Sequence, residues 1–148
     1  MANIINWATG AVDRGDVLTT GLDALANGSA SAVGGEIDNS TNLDQYAILE
    51  LNVDFVSAPT LGTTCDIYMV KAIDGTNYED GSATVVPAGS CLVASIDMLA
   101  TTAAMRRTSG IFTLPPCKVK FLLKNNSGQA FPNSGSTVGL YTFNDEVQ

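Results

Sequence analysis

Alternation of hydrophobic and polar positions predicts that most of this chain forms β-strands. The clearest run is residues 46–56, where apolar side chains occupy every second position: Ala47, Leu49, Leu51, Val53 and Phe55. Glu50, Asn52 and Asp54 lie between them. Because a period of two residues sends alternate side chains to opposite faces of a sheet, we expect a half-buried strand here.

Similar runs separated by Gly, Asn, Ser, Thr and Pro turns predict about eight strands in all. Residues 64–72 are apolar on both faces, which indicates a central strand or one covered by a neighbouring subunit. The other runs are 92–98, 105–114, 118–124 and 137–143, with weaker candidates at 17–25 and 29–37. Residues 95–105 are the only stretch with room for a helical turn, and their threonines favour an extended chain or a loop. The pattern predicts an all-β fold, a two-sheet antiparallel β-sandwich of jelly-roll type.

The 148 residues suit one domain. We expect residues 1–16 to form an N-terminal arm and residues 17–148 a single β-sandwich domain. The chain starts without the basic and apolar regions of a signal peptide. Its three widely spaced cysteines, Cys65, Cys91 and Cys117, fit neither a disulfide framework nor a metal motif. Free, buried thiols in a reducing cytosol are therefore expected.

The chain is acidic, with a formal net charge of −8 and no histidine. The lack of histidine excludes a Ser-His-Asp triad and a His-ligated zinc site. Acidic proteins are repelled by phosphate groups, so neither nucleic acid nor a membrane is expected as a partner. Twelve acids and two bases lie in residues 1–80, whereas residues 81–148 hold three acids and five bases. This asymmetry favours contacts between oppositely charged surfaces of neighbouring subunits; the alternative is that both surfaces are solvated.

A basic stripe is expected if the chain makes a hairpin at Pro115-Pro116. That pairing sets Arg107 opposite Lys124 on the outer face of two strands. The residues of the stripe, which form a candidate partner interface, are Arg107, Lys118, Lys120 and Lys124. Two-residue hairpins prefer positive φ angles that proline does not adopt, so a wider connection is the alternative.

Few residues of the sequence are candidates for catalysis or metal binding. Acidic pairs such as Asp13 with Asp16 show no sign of burial, so we expect no catalytic residues and no enzyme activity. One loop offers oxygen ligands for calcium, from Asp74, Asn77, Glu79 and Asp80. Their spacing does not match a calcium-binding loop, so they are weak metal candidates and a solvated loop is favoured. No metal and no cofactor are expected.

Two aromatic residues are candidates for contact with a partner or ligand. Trp7 lies before the first convincing strand, where it either anchors the N-terminal arm on a partner or packs on its own domain. Tyr78 lies at a polar loop tip, where a sugar platform is conceivable. Tyr46 and Tyr141 form no cluster that the sequence reveals.

Several motifs carry a family resemblance. The stretch Phe-Leu-Leu-Lys-Asn-Asn-Ser-Gly-Gln-Ala-Phe at 121–131, followed by Pro132 and Ser134-Gly135-Ser136-Thr137, is the most characteristic. The others are Asp38-Asn39-Ser40, Leu49-Glu50-Leu51, Gly62-Thr63-Thr64-Cys65-Asp66-Ile67-Tyr68, Asp74-Gly75-Thr76-Asn77-Tyr78, Leu114-Pro115-Pro116 and Lys120-Phe121-Leu122-Leu123-Lys124-Asn125. In this order, over residues 17–143, they resemble small structural proteins of tailed bacteriophages, especially jelly-roll cement or decoration proteins on the outside of the capsid.

The resemblance implies a non-enzymatic virion protein that binds the capsid exterior and stabilises the shell by bridging subunits of the major capsid protein. It also implies a small homo-oligomer, a dimer or trimer, assembled in the bacterial host cytoplasm. The alternative is a head-fibre or tail-associated module that binds a receptor or carbohydrate. That alternative would need exposed aromatic residues clustered on one face.

Overall fold

The structure is a computed structural model that describes residues 5–8 and 10–147. The strands are β1 (Ile5–Trp7), β2 (Val12–Leu18), β3 (Ile37–Asp38), β4 (Tyr46–Val53), β5 (Thr64–Ala72), β6 (Leu92–Asp97), β7 (Met105–Thr108), β8 (Phe112–Thr113), β9 (Lys118–Asn126), β10 (Thr137–Phe143) and β11 (Asp145–Val147). Helical segments are short: α1 (Asn39–Asn42) and 3₁₀ turns at Thr20–Leu22 and Gly89–Cys91. No helix among these residues is long and apolar enough to cross a membrane.

Two antiparallel sheets and a separate ribbon account for the described strands. The larger sheet has the order β2-β10-β4-β7, with β8 also paired to β4. The smaller sheet has the order β3-β9-β5-β6, and β1 pairs with β11 in a two-stranded ribbon. The predicted all-β fold with two antiparallel sheets is therefore confirmed.

One hydrophobic core takes side chains from both sheets. Leu49 and Leu51 of β4, Leu140 of β10, and Phe121 and Leu123 of β9 are fully buried and belong to the same cluster. Burying a side chain of this size stabilises a fold by roughly 1.5–3 kcal/mol. The alternation of apolar and polar positions thus predicted the buried faces of β4 and β9 correctly.

The smaller sheet is also covered on its outer side. Val70 and Leu122 point away from the main core, yet they are buried under Ala30, with Val33 and Tyr78 packed against them. β5 lies between β9 and β6, as a central strand should. The prediction of a central strand is confirmed, and the chain itself supplies the layer that covers it.

A β-bulge turns the start of β6. Ile67 pairs with Ala94 and Tyr68 with Leu92, so Val93 is an extra residue in the ladder. Ala94 and Ile96 are buried in the core, the extra residue Val93 packs against the same core, and Leu92 is left 43% exposed. The predicted alternation over residues 92–98 is correct except at its first residue.

The predicted hairpin at Pro115-Pro116 is wrong. Strands β7 and β8 pair with β4 in the larger sheet, whereas β9 belongs to the smaller sheet. The two prolines therefore carry the chain from one sheet to the other, which suits residues that have a fixed φ and no N–H for a ladder. Arg107 faces Leu51 and Lys124 faces Asp66, so the predicted four-residue basic stripe does not form.

Two weaker strand predictions near the N-terminus are largely wrong. Within residues 17–25 only the first two belong to a strand, and a 3₁₀ turn follows. Residues 29–37 run beside β9 through irregular hydrogen bonds, such as Ser31 N–H to the Leu123 carbonyl at 2.8 Å, and reach a regular ladder only at Ile37–Asp38. The predicted boundary between arm and domain, after residue 16, falls inside β2.

A close approach at Gly34 joins the edges of the two sheets. A Cβ atom added at Gly34 would lie 2.0 Å from the Val17 carbonyl oxygen and 2.8 Å from Leu18 Cδ2. Only a residue without a side chain lets the segment that flanks β9 pack this tightly on the end of β2. Neighbouring Gly35 has open space around the same position.

We predict that Gly34→Ala lowers the free energy of unfolding by about 2 kcal/mol or more, because the backbone must move to relieve the clash. Gly35→Ala is the matched control and should change it by less than about 1 kcal/mol. Urea unfolding of the two variants gives the comparison. Equal stability of the two variants would show that the contact at Gly34 does not constrain the fold.

Candidate interaction surface

The outer face of the larger sheet is lined by outward side chains of β4 and β10. The register sets Tyr46 opposite Phe143 and Ile48 opposite Tyr141. Glu50 and Asn52 continue the face toward its other end. This face is therefore aromatic at one end and polar at the other.

Three rings form a cluster at the aromatic end, which we call the aromatic patch: Trp7, Tyr46 and Phe143. The Trp7 ring lies 5.1 Å from Phe143 and 6.0 Å from Tyr46, edge-on to both, while Tyr46 stacks on Phe143 at 5.7 Å. Trp7 is 61% exposed and Phe143 only 8%. Phe143 is thus the floor of the patch and Trp7 its exposed top.

An apolar hollow adjoins the patch. It has a volume of about 480 Å³ and is lined by Trp7, Phe143, Ile111, Gly10 and Ala11. Ile111 is largely exposed beside it. Contiguous exposed apolar surface with an adjoining hollow is typical of a surface that binds a partner or ligand.

Both ends of the chain build this surface. Trp7 of β1 pairs with Asp145 of β11, and Ala8 N–H donates to the Asn144 carbonyl at 2.9 Å. Since β11 follows β10 almost directly, the pairing sets Trp7 beside Phe143. The tryptophan predicted to lie on an arm therefore packs on its own domain and still exposes most of its ring.

A polar network lies on the inner side of the same sheet end. Arg14 Nε donates to Asp44 Oδ2 at 3.0 Å and to Thr142 Oγ1 at 2.9 Å, and Arg14 Nη2 donates to Asp44 Oδ1 at 2.9 Å. Asp44 is 6% exposed. The ion pair therefore fixes the residues adjoining Tyr46 and Phe143 from behind the patch.

Buried Asn39 extends this network to the crossing between the sheets. Asn39 Nδ2 donates to the carbonyls of Asp44 and Pro115, both at 2.9 Å, and Asn39 Oδ1 accepts the Asp44 N–H at 2.9 Å. Sequence reasoning missed Arg14, Asp44 and Asn39 as a group. The only signal was that Arg14 is one of two bases among the first 80 residues.

At the polar end of the face, neighbouring side chains form an ion pair and hydrogen bonds with one another. Arg106 Nε lies 2.7 Å from Glu50 Oε2, and Asn52 Nδ2 donates to Glu50 Oε1 at 3.3 Å. The hydrogen bond from Arg106 is the main cause that lowers the pKa of Glu50. Arg107 is half-buried at the edge beside Leu51, with no ion pair in the described part of the chain.

The predicted basic residues of β9 do share one outer face, on the smaller sheet. Lys118 Nζ lies 3.0 Å from Glu36 Oε1, and Lys120 Nζ lies 4.3 Å from the centre of the Tyr78 ring. Lys124 lies further along the strand. Two of the three lysines therefore already have partners within the chain.

Tyr78 is held in the same arrangement. Its hydroxyl donates to Glu36 Oε2 at 2.6 Å. Burial of the phenol and this hydrogen bond raise the pKa of Tyr78 to about 12. Because Lys120 covers one face of the ring, Tyr78 offers less surface to a sugar than its position at a loop tip indicates.

Asp74 and Glu79, two of the weak metal candidates, accept hydrogen bonds from backbone N–H groups in and beside their loop. Asp74 Oδ1 accepts the N–H groups of Thr76 and Asn77 at 2.9 and 2.7 Å, and these bonds with the Asn77 amide lower the pKa of Asp74 to about 2. Glu79 accepts the Lys71 N–H at 3.0 Å. No group of three His, Cys, Asp or Glu side chains that could hold a metal occurs within residues 5–8 and 10–147.

The cysteines are free and buried, as predicted. Cys65 lies in the core, where burial raises the pKa of its thiol to about 12. A thiol in this state is unreactive at neutral pH because the thiolate is the nucleophile.

Comparisons with protein-family models, curated proteins and solved structures gave no match. The aromatic patch and the charges around it are the features of this chain that bear most directly on binding.

We predict that Arg14→Ala lowers the free energy of unfolding by about 2 kcal/mol, because it leaves the nearly buried Asp44 carboxylate without its cation. Arg107→Ala removes an arginine of similar exposure that has no such partner, and should cost about 0.5 kcal/mol. Urea unfolding at neutral pH measures both. Similar losses for the two variants would contradict a stabilising role for the ion pair.

Proposed function

We propose that this chain is a non-enzymatic virion structural protein that binds the outside of a phage capsid and bridges major capsid subunits. The proposal includes a jelly-roll arrangement of the two sheets and a small homo-oligomer, a dimer or trimer. The observation that carries it is the exposed aromatic patch formed where β1 meets β11. The resemblance of the sequence motifs to decoration proteins supplies the virion context.

The composition of the patch supports protein docking. Tryptophan and tyrosine are enriched among the residues that dominate binding energy in protein interfaces, because each buries a large area with few rotatable bonds. Trp7 is 61% exposed, so a partner seated on it would remove most of that ring from water. Its position is already fixed by Phe143 and Tyr46, which lowers the entropy lost on binding.

Bridging requires more than one contact at a time. A dimer or trimer would present two or three copies of the aromatic patch, and linked contacts strengthen attachment without new types of contact. No active site is needed for such a role.

A receptor- or carbohydrate-binding module of a head fibre or tail is the second candidate. The clustering of exposed aromatics favours it, since sugars stack on aromatic faces. The geometry of the rings favours it less: Trp7 stands at 84° to Tyr46 and 78° to Phe143, so the rings make no common flat platform.

We predict that Trp7→Ala lowers the number of copies on density-purified particles by at least about tenfold, since an interface anchor is worth about 2 kcal/mol or more. Quantitative mass spectrometry, referenced to the major capsid protein, counts the copies. The wild-type chain should be present at a simple fraction of the capsid protein.

Ile73→Ala is the matched control, because Ile73 is an exposed apolar residue outside the patch, in a loop beside the smaller sheet. Its copy number should equal that of the wild-type chain. A handful of wild-type copies per particle would favour the fibre or tail module, and complete absence would refute the virion role. Wild-type copy numbers for Trp7→Ala would refute docking through the patch.

A further inference from the structure

The surroundings of the aromatic patch are acidic. Asp145 pairs directly with Trp7 across the ribbon, and its Oδ2 lies 3.4 Å from the Tyr46 hydroxyl. Asp13, which is exposed, faces Tyr141 on β10, one row from Phe143. The described parts of residues 5–13 and 143–147 contain no lysine or arginine.

The nearest bases along the chain are committed elsewhere. Arg14 is bound to Asp44 on the inner side of the sheet, and Arg106 is bound to Glu50 at the polar end of the face. Arg107 has no ion pair in the described part of the chain, but it lies beside Leu51, five positions along β4 from Tyr46. The rim of the patch therefore keeps a negative charge, while its centre is apolar. An interface of this kind selects partners by charge and gains affinity from the apolar centre.

We propose that the aromatic patch binds a basic protein segment that inserts one large apolar side chain into the hollow and sets Lys or Arg residues against Asp13 and Asp145. This inference rests on the proposed docking function and specifies the chemistry of the partner. The hollow of about 480 Å³ accommodates a phenylalanine or leucine side chain. The two carboxylates lie on different strands at the margin of the patch, so a cation on each side of the inserted residue would reach one of them.

A second copy of this chain suits the patch less well. In a symmetric pair the same surface is used by both subunits, so each acidic rim would face its counterpart and like charges would repel. The lysines of β9 that would neutralise it lie on the smaller sheet, where Glu36 and Tyr78 already engage Lys118 and Lys120 and leave Lys124. A basic segment from another protein relieves both difficulties.

The single tryptophan of the chain provides a direct test. The full chain is titrated at low salt with three acetylated, amidated hexapeptides in which Val, Phe and Leu alternate with Lys, Glu or Ser, and Trp7 emission is followed. We expect the lysine peptide to shift the emission to shorter wavelength and to bind at least about tenfold tighter than the glutamate peptide, with the preference falling as salt rises.

Variants with altered charge show which carboxylates cause the preference for the lysine peptide. Asp13→Asn combined with Asp145→Asn should reduce the preference for the lysine peptide to less than about threefold, since neutral amides do not attract cations. Asp80→Asn combined with Asp97→Asn removes two exposed acids elsewhere and should preserve it. Circular dichroism of each variant confirms that the fold is retained.

Three outcomes would overturn the inference: equal binding of the serine or glutamate peptide, no binding of any peptide up to about 1 mM, or a preference that survives the Asp13 and Asp145 substitutions. If the chain self-associates in sedimentation and Trp7→Ala abolishes this, the patch binds a second copy of the chain. If a neutral oligosaccharide binds the patch saturably, its ligand is a sugar. If Trp7→Ala removes this protein from the particles but the wild-type chain binds the three peptides equally, docking through the patch is supported and the inference of a basic partner fails. If the wild-type chain prefers the lysine peptide but is absent from the particles, the virion role is refuted and the inference of a basic ligand is supported.

Discussion

The ion pair between Arg14 and Asp44 is the contact on which the arrangement of the larger sheet depends. A carboxylate that is 6% exposed is costly to bury without a cation, and removing the cation is expected to destabilise the protein by about 2 kcal/mol. Arg14 meets it with two hydrogen bonds and reaches Thr142 with a third, which ties β2 to the start of β4 and the end of β10. Asn39 then links Asp44 to the crossing at Pro115.

This polar network has a consequence on the opposite side of the sheet. Tyr46 comes two residues after Asp44, and Phe143 directly follows Thr142, so the groups fixed on the inner side determine where the two outer rings stand. The ribbon then adds Trp7 to them. The two sheets differ in their outer faces: the smaller one is covered by its own chain, with Leu122 fully buried, whereas the larger one carries Trp7 of the ribbon, which is 61% exposed. From that difference we infer that the outer face of the larger sheet, rather than that of the smaller one, is available to a partner.

Local patterns predicted much of the fold, because a period of two reports which face of a strand is buried. Ala47, Leu49 and Leu51 are buried as their alternation indicates, and the apolar run at 64–72 is the central strand it resembles. The pattern does not report which strands pair. Residues 105–114 and 118–124 suggested a hairpin, but the prolines between them send the chain to the other sheet. The segment at 29–37 forms too few ladder bonds to behave as a strand.

The candidate site was less predictable than the fold because its parts are far apart in the chain. Trp7, Tyr46 and Phe143 meet only through the pairing of β1 with β11 and of β4 with β10. No local spacing marks them as a group, and the same holds for Arg14 with Asp44. The lysines of β9 were predicted to share a face, and they do, but the sequence did not reveal that Glu36 and Tyr78 engage two of them.

We infer that the aromatic patch is the surface through which this protein meets its partner. Hydroxyl-radical footprinting of the full chain, free and bound to particles, measures which side chains a partner covers. We expect strong protection of Trp7 and protection of Ile111, while Ile73 and Leu61 beyond the patch are labelled equally in both states. Equal labelling of Trp7 in the free and bound chain, with protection confined to other surfaces, would contradict it.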